Sequence, residues 1–106
     1  MFSKSVIVDI VDMLPDTQAD LELFLMKFEV YDKVDFTPDD TSISKKQVKI
    51  AKLLANNQEL KDSRDNNIVL NIVQDRMHNF LSRYSIWEDS FNETQSFERI
   101  VGEYPY

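Results

Sequence analysis

The stretch from Asn66 to Tyr84, NNIVLNIVQDRMHNFLSRY, constrains this chain more than any other. Val69, Ile72, Val73, Met77, Phe80, Leu81 and Tyr84 fall at i, i+3, i+4, i+8, i+11, i+12 and i+15. That spacing winds onto one stripe of a helix with about 3.6 residues per turn. Asn71, Asp75, His78 and Ser82 take the opposite, polar side. Asn66 or Asn67 is suited to cap the start, because a short side-chain oxygen accepts from a free N–H of the first turn. A continuous apolar stripe has to be buried against something. The spacing therefore predicts a central helix at about 66–84 with the other segments packed on it.

What those segments are follows from the turn residues. The chain of 106 residues holds one Gly and three Pro. A sheet protein needs turn residues roughly every 8–12 positions, and this chain does not supply them. The expected fold is all-α, a compact bundle of four to five helices in a single domain over 1–106. With no Cys, there is no disulfide framework, thiolate nucleophile or Cys-ligated zinc. The opening MFSKSVIVDIVDML is apolar, but Asp9 and Asp12 interrupt it, unlike a signal-peptide core or a membrane span. The expectation is a soluble, cytoplasmic protein, either whole or as one domain of a larger chain.

Local signals divide the rest. Over residues 4–14, Val6, Ile7, Ile10, Val11 and Leu14 suit i, i+1, i+4, i+5 helical spacing better than strand alternation, and Pro15 ends the segment. Asp9, Asp12 and Asp16 then mark its outer face. Asp16 or Thr17 caps a second helix over 17–30, with Leu21, Phe24, Leu25 and Phe28 as the buried stripe and Leu23 and Met26 flanking it. Tyr31 to Ile43 is a polar connection in which Phe36 is expected to anchor. Ser44 and Gln47 form an S-x-x-Q capping box, with Ile43 and Val48 as a hydrophobic staple. In the helix that follows, Val48, Ile50, Ala51, Leu54 and Ala55 are placed to face inward. After Tyr84 the pattern weakens. Ser85–Glu88 and Ser90–Glu93 offer starts for a short helix between 85 and 91, docked by Phe91, Phe97, Ile100 and Val101. GEYPY is expected to be an extended tail. Trp87, Phe91, Phe97, Tyr104 and Tyr106 suit either the base of the core or an interface.

Candidate chemistry is sparse. Asp75, His78 and Ser82 share residue types with a hydrolase triad, but one helical stripe provides no cleft and no oxyanion donors. Ribonucleases of the HEPN type carry an Arg a few residues ahead of a His. Here Arg76 stands only two before His78 and Arg64 fourteen before it, so that motif is absent. The acidic loop Asp32, Asp35, Asp39, Asp40 lacks the Gly and terminal Glu of a calcium-binding EF-hand. No cofactor, no metal and no catalytic residue is expected, and the chain is read as a non-enzyme.

Charge is the informative feature. The net charge is −7, and residues 1–44 alone hold ten acids against three lysines. Residues 45–64 reverse this, with six bases against two acids. Lys45 and Lys46 fall in a first helical turn, where the macrodipole disfavours cations. With Ser44 and the free N–H groups they could hold an anion, and with Lys49 and Lys52 they could contact nucleic acid. The same lysines could instead pair with the acidic third of their own chain. Small acidic helical proteins without catalytic motifs serve as toxin-immunity proteins, phage-encoded inhibitors and adaptor domains. By that analogy the expected function is protein–protein binding or inhibition in a microbial conflict system. The acidic face and loop, Asp9, Asp12, Asp16, Asp32, Asp35, Asp39 and Asp40, would receive a basic protein partner, with no membrane involved. The alternatives are a nucleic-acid-binding module using the lysine-rich helix 44–55, or an accessory domain of a larger protein.

Overall fold

Short segments rich in β-branched residues, such as KSVIVDIVD, become helices only when a core captures one face. The computed structural model, which describes residues 1–84, 99–100 and 102–103, shows that capture. It is all-α. Its helices include α1 (Lys4–Asp12), α2 (Gln18–Lys27), α3 (Ile43–Asn56) and α4 (Ile68–Tyr84), with a 3₁₀ turn at Tyr31–Lys33, and residues 99–100 and 102–103 are helical as well. An isolated antiparallel bridge joins Lys61 to Asn67. Among these residues no helix is long and apolar enough to cross a membrane.

α1 is the inner strut. It packs on both α3 and α4, and Val6, Ile7, Ile10 and Val11 are buried. Ser3 caps it, its side chain accepting from the Val6 N–H at 3.2 Å. The chain ahead of it is pinned as well. Gln58 accepts from the Phe2 N–H at 2.8 Å and donates to the Phe2 carbonyl at 2.7 Å. α4 begins after Asn67, whose side-chain oxygen accepts from the Leu70 N–H at 2.9 Å, so Asn67 rather than Asn66 is the cap. Of its stripe, Val69, Ile72, Val73 and Phe80 are buried as the periodicity predicts, Met77 is partly buried and Ile68 is added, while the side chains of Leu81 and Tyr84 lie outside the described residues. α3 contributes Ile50 and Leu54, and Phe36 packs partly buried against the same core.

Thr17 caps α2, as expected, by accepting from the Asp20 N–H at 3.2 Å. The helix stops at Lys27, short of residue 30, because the chain turns left-handed at Glu29, with φ at 61°. The Glu29 N–H then donates to the Met26 carbonyl at 3.1 Å and the Val30 N–H to the Leu25 carbonyl at 2.8 Å. Those two bonds are the Schellman pattern, here built on a residue other than glycine.

Several sequence expectations shift. The start of α3 is capped by Ser42, which accepts from the Lys45 N–H at 3.2 Å, and not by Ser44. The third helical position is then Lys45, so there is no reciprocal Gln. Gln47 instead lies near the Val11 carbonyl, its amide donating across to α1 at 3.5 Å. Val48 is 53% exposed, because the register set by Ile50 and Leu54 turns it to solvent. Asp9 is not on the outer face of α1. It is buried, and both its carboxylate oxygens accept from the Arg99 guanidinium at 2.7 Å. Gly102 and Glu103 are helical, not extended. Glu103 accepts from the Ser3 N–H at 2.7 Å and from its hydroxyl at 2.8 Å, which is an acid at the start of α1 supplied from the far end of the chain. Ile100 is fully buried, as expected. The expected helix start between 85 and 91, and Trp87, Phe91, Phe97, Val101, Tyr104 and Tyr106, lie outside the described residues.

The cap assignment is directly testable by urea denaturation. Ser42→Ala should lose about 1 kcal/mol of stability, the usual cost of an N-cap side chain. Ser44→Ala should change it by less than about 0.5 kcal/mol, since Ser44 is exposed. Equal losses would return the cap to Ser44.

Candidate interaction surface

The chain's cations come first, because their positions decide which acids remain available. α3 presents its lysines to the 34–42 connection and to α2. Lys49 pairs with Asp40 at 2.5 Å and donates to the Asp35 carbonyl at 2.6 Å. Lys46 donates to the Gln18 side chain at 2.5 Å, stands 3.7 Å from Glu22, and lies 5.7 Å from the Phe36 ring centroid. Lys45 donates to the Asp39 carbonyl at 3.3 Å. Gln18 completes the link by donating to the Thr41 carbonyl at 3.1 Å. The polar connection between α2 and α3 is thus fastened down by the helix that follows it.

That fastening bears on the anion site expected at Ser44, Lys45, Lys46, Lys49 and Lys52. Ser42 already occupies the Lys45 N–H, and Ser44 is an exposed side chain outside the cap. Three of the four lysines are turned onto their own chain, and only Lys52 among them is exposed with no polar partner among the described residues. The residues share a helix, but they do not converge on one point.

The acids divide in a complementary way. Asp9 is engaged with Arg99, and Asp40 with Lys49 and with the N–H and hydroxyl of Thr37 at 2.7 and 3.2 Å. Asp12, Asp16, Asp32, Asp35 and Asp39 are exposed. Among the described residues none of these five carboxylates has an ion-pair partner. Asp20, on the first turn of α2, belongs with them. Also among the described residues, no group of three or more acids and His converges as a metal site would, the acidic loop included.

The feature that sequence reading missed is apolar. Leu23 and Met26, read as flanks of the buried stripe, are 64% and 60% exposed. They lie on the outer side of α2, opposite Leu21, Phe24 and Leu25. Tyr31 is exposed close by, and Met26, Glu29, Tyr31, Asp32 and Lys33 line a shallow recess of ≈ 400 Å³. The signal was in the run LELFLMKF, which is apolar around the whole helix and so implies cover on both sides.

Of the residues considered for catalysis, Asp75 is engaged, and the side chain of Ser82 lies outside the described residues. The Asp75 carboxylate is turned to Arg76, which donates to it at 2.6 and 3.0 Å and also donates to the Met13 carbonyl at 3.0 Å. Arg76 further lies 4.8 Å from the Phe24 ring centroid, tying α4 to α2. His78 is exposed.

Lys49 and, next, the Thr37 N–H hold the Asp40 carboxyl below its ordinary value of 3.8. The Ser3 N–H and hydroxyl hold Glu103 below its ordinary 4.5. A carboxyl whose folded value is depressed stabilises the fold above its unfolded value and ceases to do so as pH falls through the folded one. Thermal melts of the wild type should therefore lose stability as pH drops from about 5 towards 2. Asp40→Asn should lower the melting temperature at pH 7 and reduce that acid slope. An unchanged slope would mean that the Lys49–Asp40 contact contributes nothing.

No family model matches the chain, and no curated protein and no solved structure matches it either.

Proposed function

We propose that this chain is a non-enzymatic binding protein whose acidic side receives a basic partner protein. The observation that carries the reading is the division of charge. Three of the four lysines of α3 are held against the chain's own loop and α2, while Asp12, Asp16, Asp20, Asp32, Asp35 and Asp39 stand exposed without ion-pair partners among the described residues. A field of one sign steers an oppositely charged partner and raises its association rate, in a way that salt suppresses. Covering a basic surface would make such a protein an inhibitor of whatever that surface does. The nucleic-acid reading is weaker, since neutralising phosphates needs available Lys and Arg, and three of the four lysines on α3 have local acceptors.

Affinity capture from source-cell lysate, with and without nuclease, tests this when the wild type is compared with two variants. One carries Asp16→Asn, Asp20→Asn and Asp32→Asn, and the other Lys45→Gln and Lys52→Gln. A stoichiometric protein should survive nuclease, be released by salt, and be lost from the Asp variant only. Recovery of nucleic acid that depends on Lys45 and Lys52 would overturn the reading in favour of a nucleic-acid module.

A further inference from the structure

We infer that the outer side of α2 docks a basic amphipathic helix of the partner, with Leu23 and Met26 as the apolar contact and Tyr31 at its edge. This deepens, and rests on, the reading of an acidic side that receives a basic partner. Ala19, Leu23 and Met26 follow i, i+4, i+7 spacing, so their exposed side chains share one stripe. The other exposed valines, Val8 on α1 and Val48 on α3, are single residues on otherwise polar faces, which is ordinary for a protein surface. On α2 the apolar residues are adjacent, and the recess beside Met26 and Tyr31 offers a place for one inserted side chain.

The occupant is decided by charge. Asp20 lies one turn before Leu23 on the same helix, Asp16 lies just ahead of the Thr17 cap, and Asp32 lines the recess. None of these three has an ion-pair partner among the described residues. Two cations lie nearby: Lys33, which lines the same recess, donates to the Glu29 carbonyl at 2.9 Å, and Lys27 lies 5.5 Å from the Phe28 ring centroid. Asp16, Asp20 and Asp32 outnumber these two, so the rim of the stripe is acidic on balance, and Lys or Arg flanking a partner's apolar face would meet it. A second copy would bring the same acids against each other in a chain of net charge −7, and an anionic membrane would be repelled in the same way. Side chains at this spacing form a ridge along α2 that interdigitates with the grooves of a second helix, which is why a helix is the fitting form.

The test uses the full chain and a fluorescent peptide of Lys and Leu with the leucines on one helical face. Its controls are a scrambled peptide of equal composition and a Glu/Leu version, with binding read by anisotropy. The ordered basic peptide should bind, the scrambled one at least about tenfold more weakly, and the acidic one not measurably. Leu23→Ser with Met26→Ser should weaken binding about tenfold or more, while Val8→Ser and Val48→Ser leave it unchanged. Circular dichroism checks that each variant is folded. Binding that ignores Leu23 and Met26 but needs Asp16, Asp20 and Asp32 would overturn the α2 site while leaving the acidic-side reading intact. Failure of every basic peptide to bind would sink both. Equal binding of the Glu/Leu peptide, or a dimer seen by sedimentation and lost in the Leu23/Met26 variant, would overturn the basic occupant.

Discussion

Burial of α1 is the constraint on which the other helices depend. Nine residues are too few for a stable isolated helix, and four of these nine are β-branched valines and isoleucines buried in the core. The helix persists because its apolar side is enclosed and its polar ends are supplied from elsewhere. Glu103 and Gln58 take up the backbone ahead of it. Arg76 of α4 donates to the Met13 carbonyl at its far end, and Gln47 of α3 reaches the Val11 carbonyl. A helix terminus leaves carbonyls without intrahelical partners; the Arg76 side chain meets that need at Met13, and the Val11 carbonyl accepts from the Leu14 N–H at 3.1 Å as well as from Gln47. The same bonds tell α3 and α4 where to lie. Local structure and tertiary packing are therefore one arrangement at this helix, not successive layers.

With α1 enclosed, the remaining electrostatics are settled by α3. Its lysines face the 34–42 connection and the start of α2, where Asp40, Gln18 and several carbonyls accept from them. Exposed ion pairs of this kind contribute little stability singly. Their effect is on shape and on what is left over. A connection with Pro38, Asp39 and Asp40 in it would otherwise be free to swing, and here it is fastened at several points. Asp16 and Asp20 at the start of α2, and Asp32 just after it, are among the acids left without an ion-pair partner within the described chain.

Periodicity made α4 and α1 legible, since each has a face that only a helix can gather. Asn67 and Thr17, each one of two candidates offered, likewise obeyed cap chemistry. The start of α3 was misplaced because SISKKQ contains two serines two residues apart, and the choice between them lies in the register of Ile50 and Leu54 against the core. Asp9 could not be read at all. Its burial depends on Arg99, ninety residues away, and spacing within a helix carries no information about such a partner. Leu23 and Met26 were misjudged for a related reason. An apolar residue on a wide stripe looks buried, and only the packed fold tells which side of α2 has a neighbour.

That exposed side is held in place by an unusual joint. Glu29 sits in the left-handed region, a conformation that costs a residue with a Cβ on the order of 1 kcal/mol. Glycine would meet the backbone requirement without that cost, but it could not do what the side chain does. The Glu29 carboxylate accepts from the Ser63 N–H at 3.0 Å and from its hydroxyl at 2.8 Å. Ser63 lies in the turn between α3 and α4, which Asp62 organises by accepting from the Arg64 and Asn66 N–H groups at 2.9 Å. The end of α2 is thereby tied to the turn between α3 and α4, at the residue before Val30 enters the core. Met26, Tyr31 and Asp32 lie within a turn of this joint. A surface set on a fixed element loses less conformational freedom when it binds anything, and the two hydrogen bonds that Ser63 gives to Glu29 fasten the end of α2.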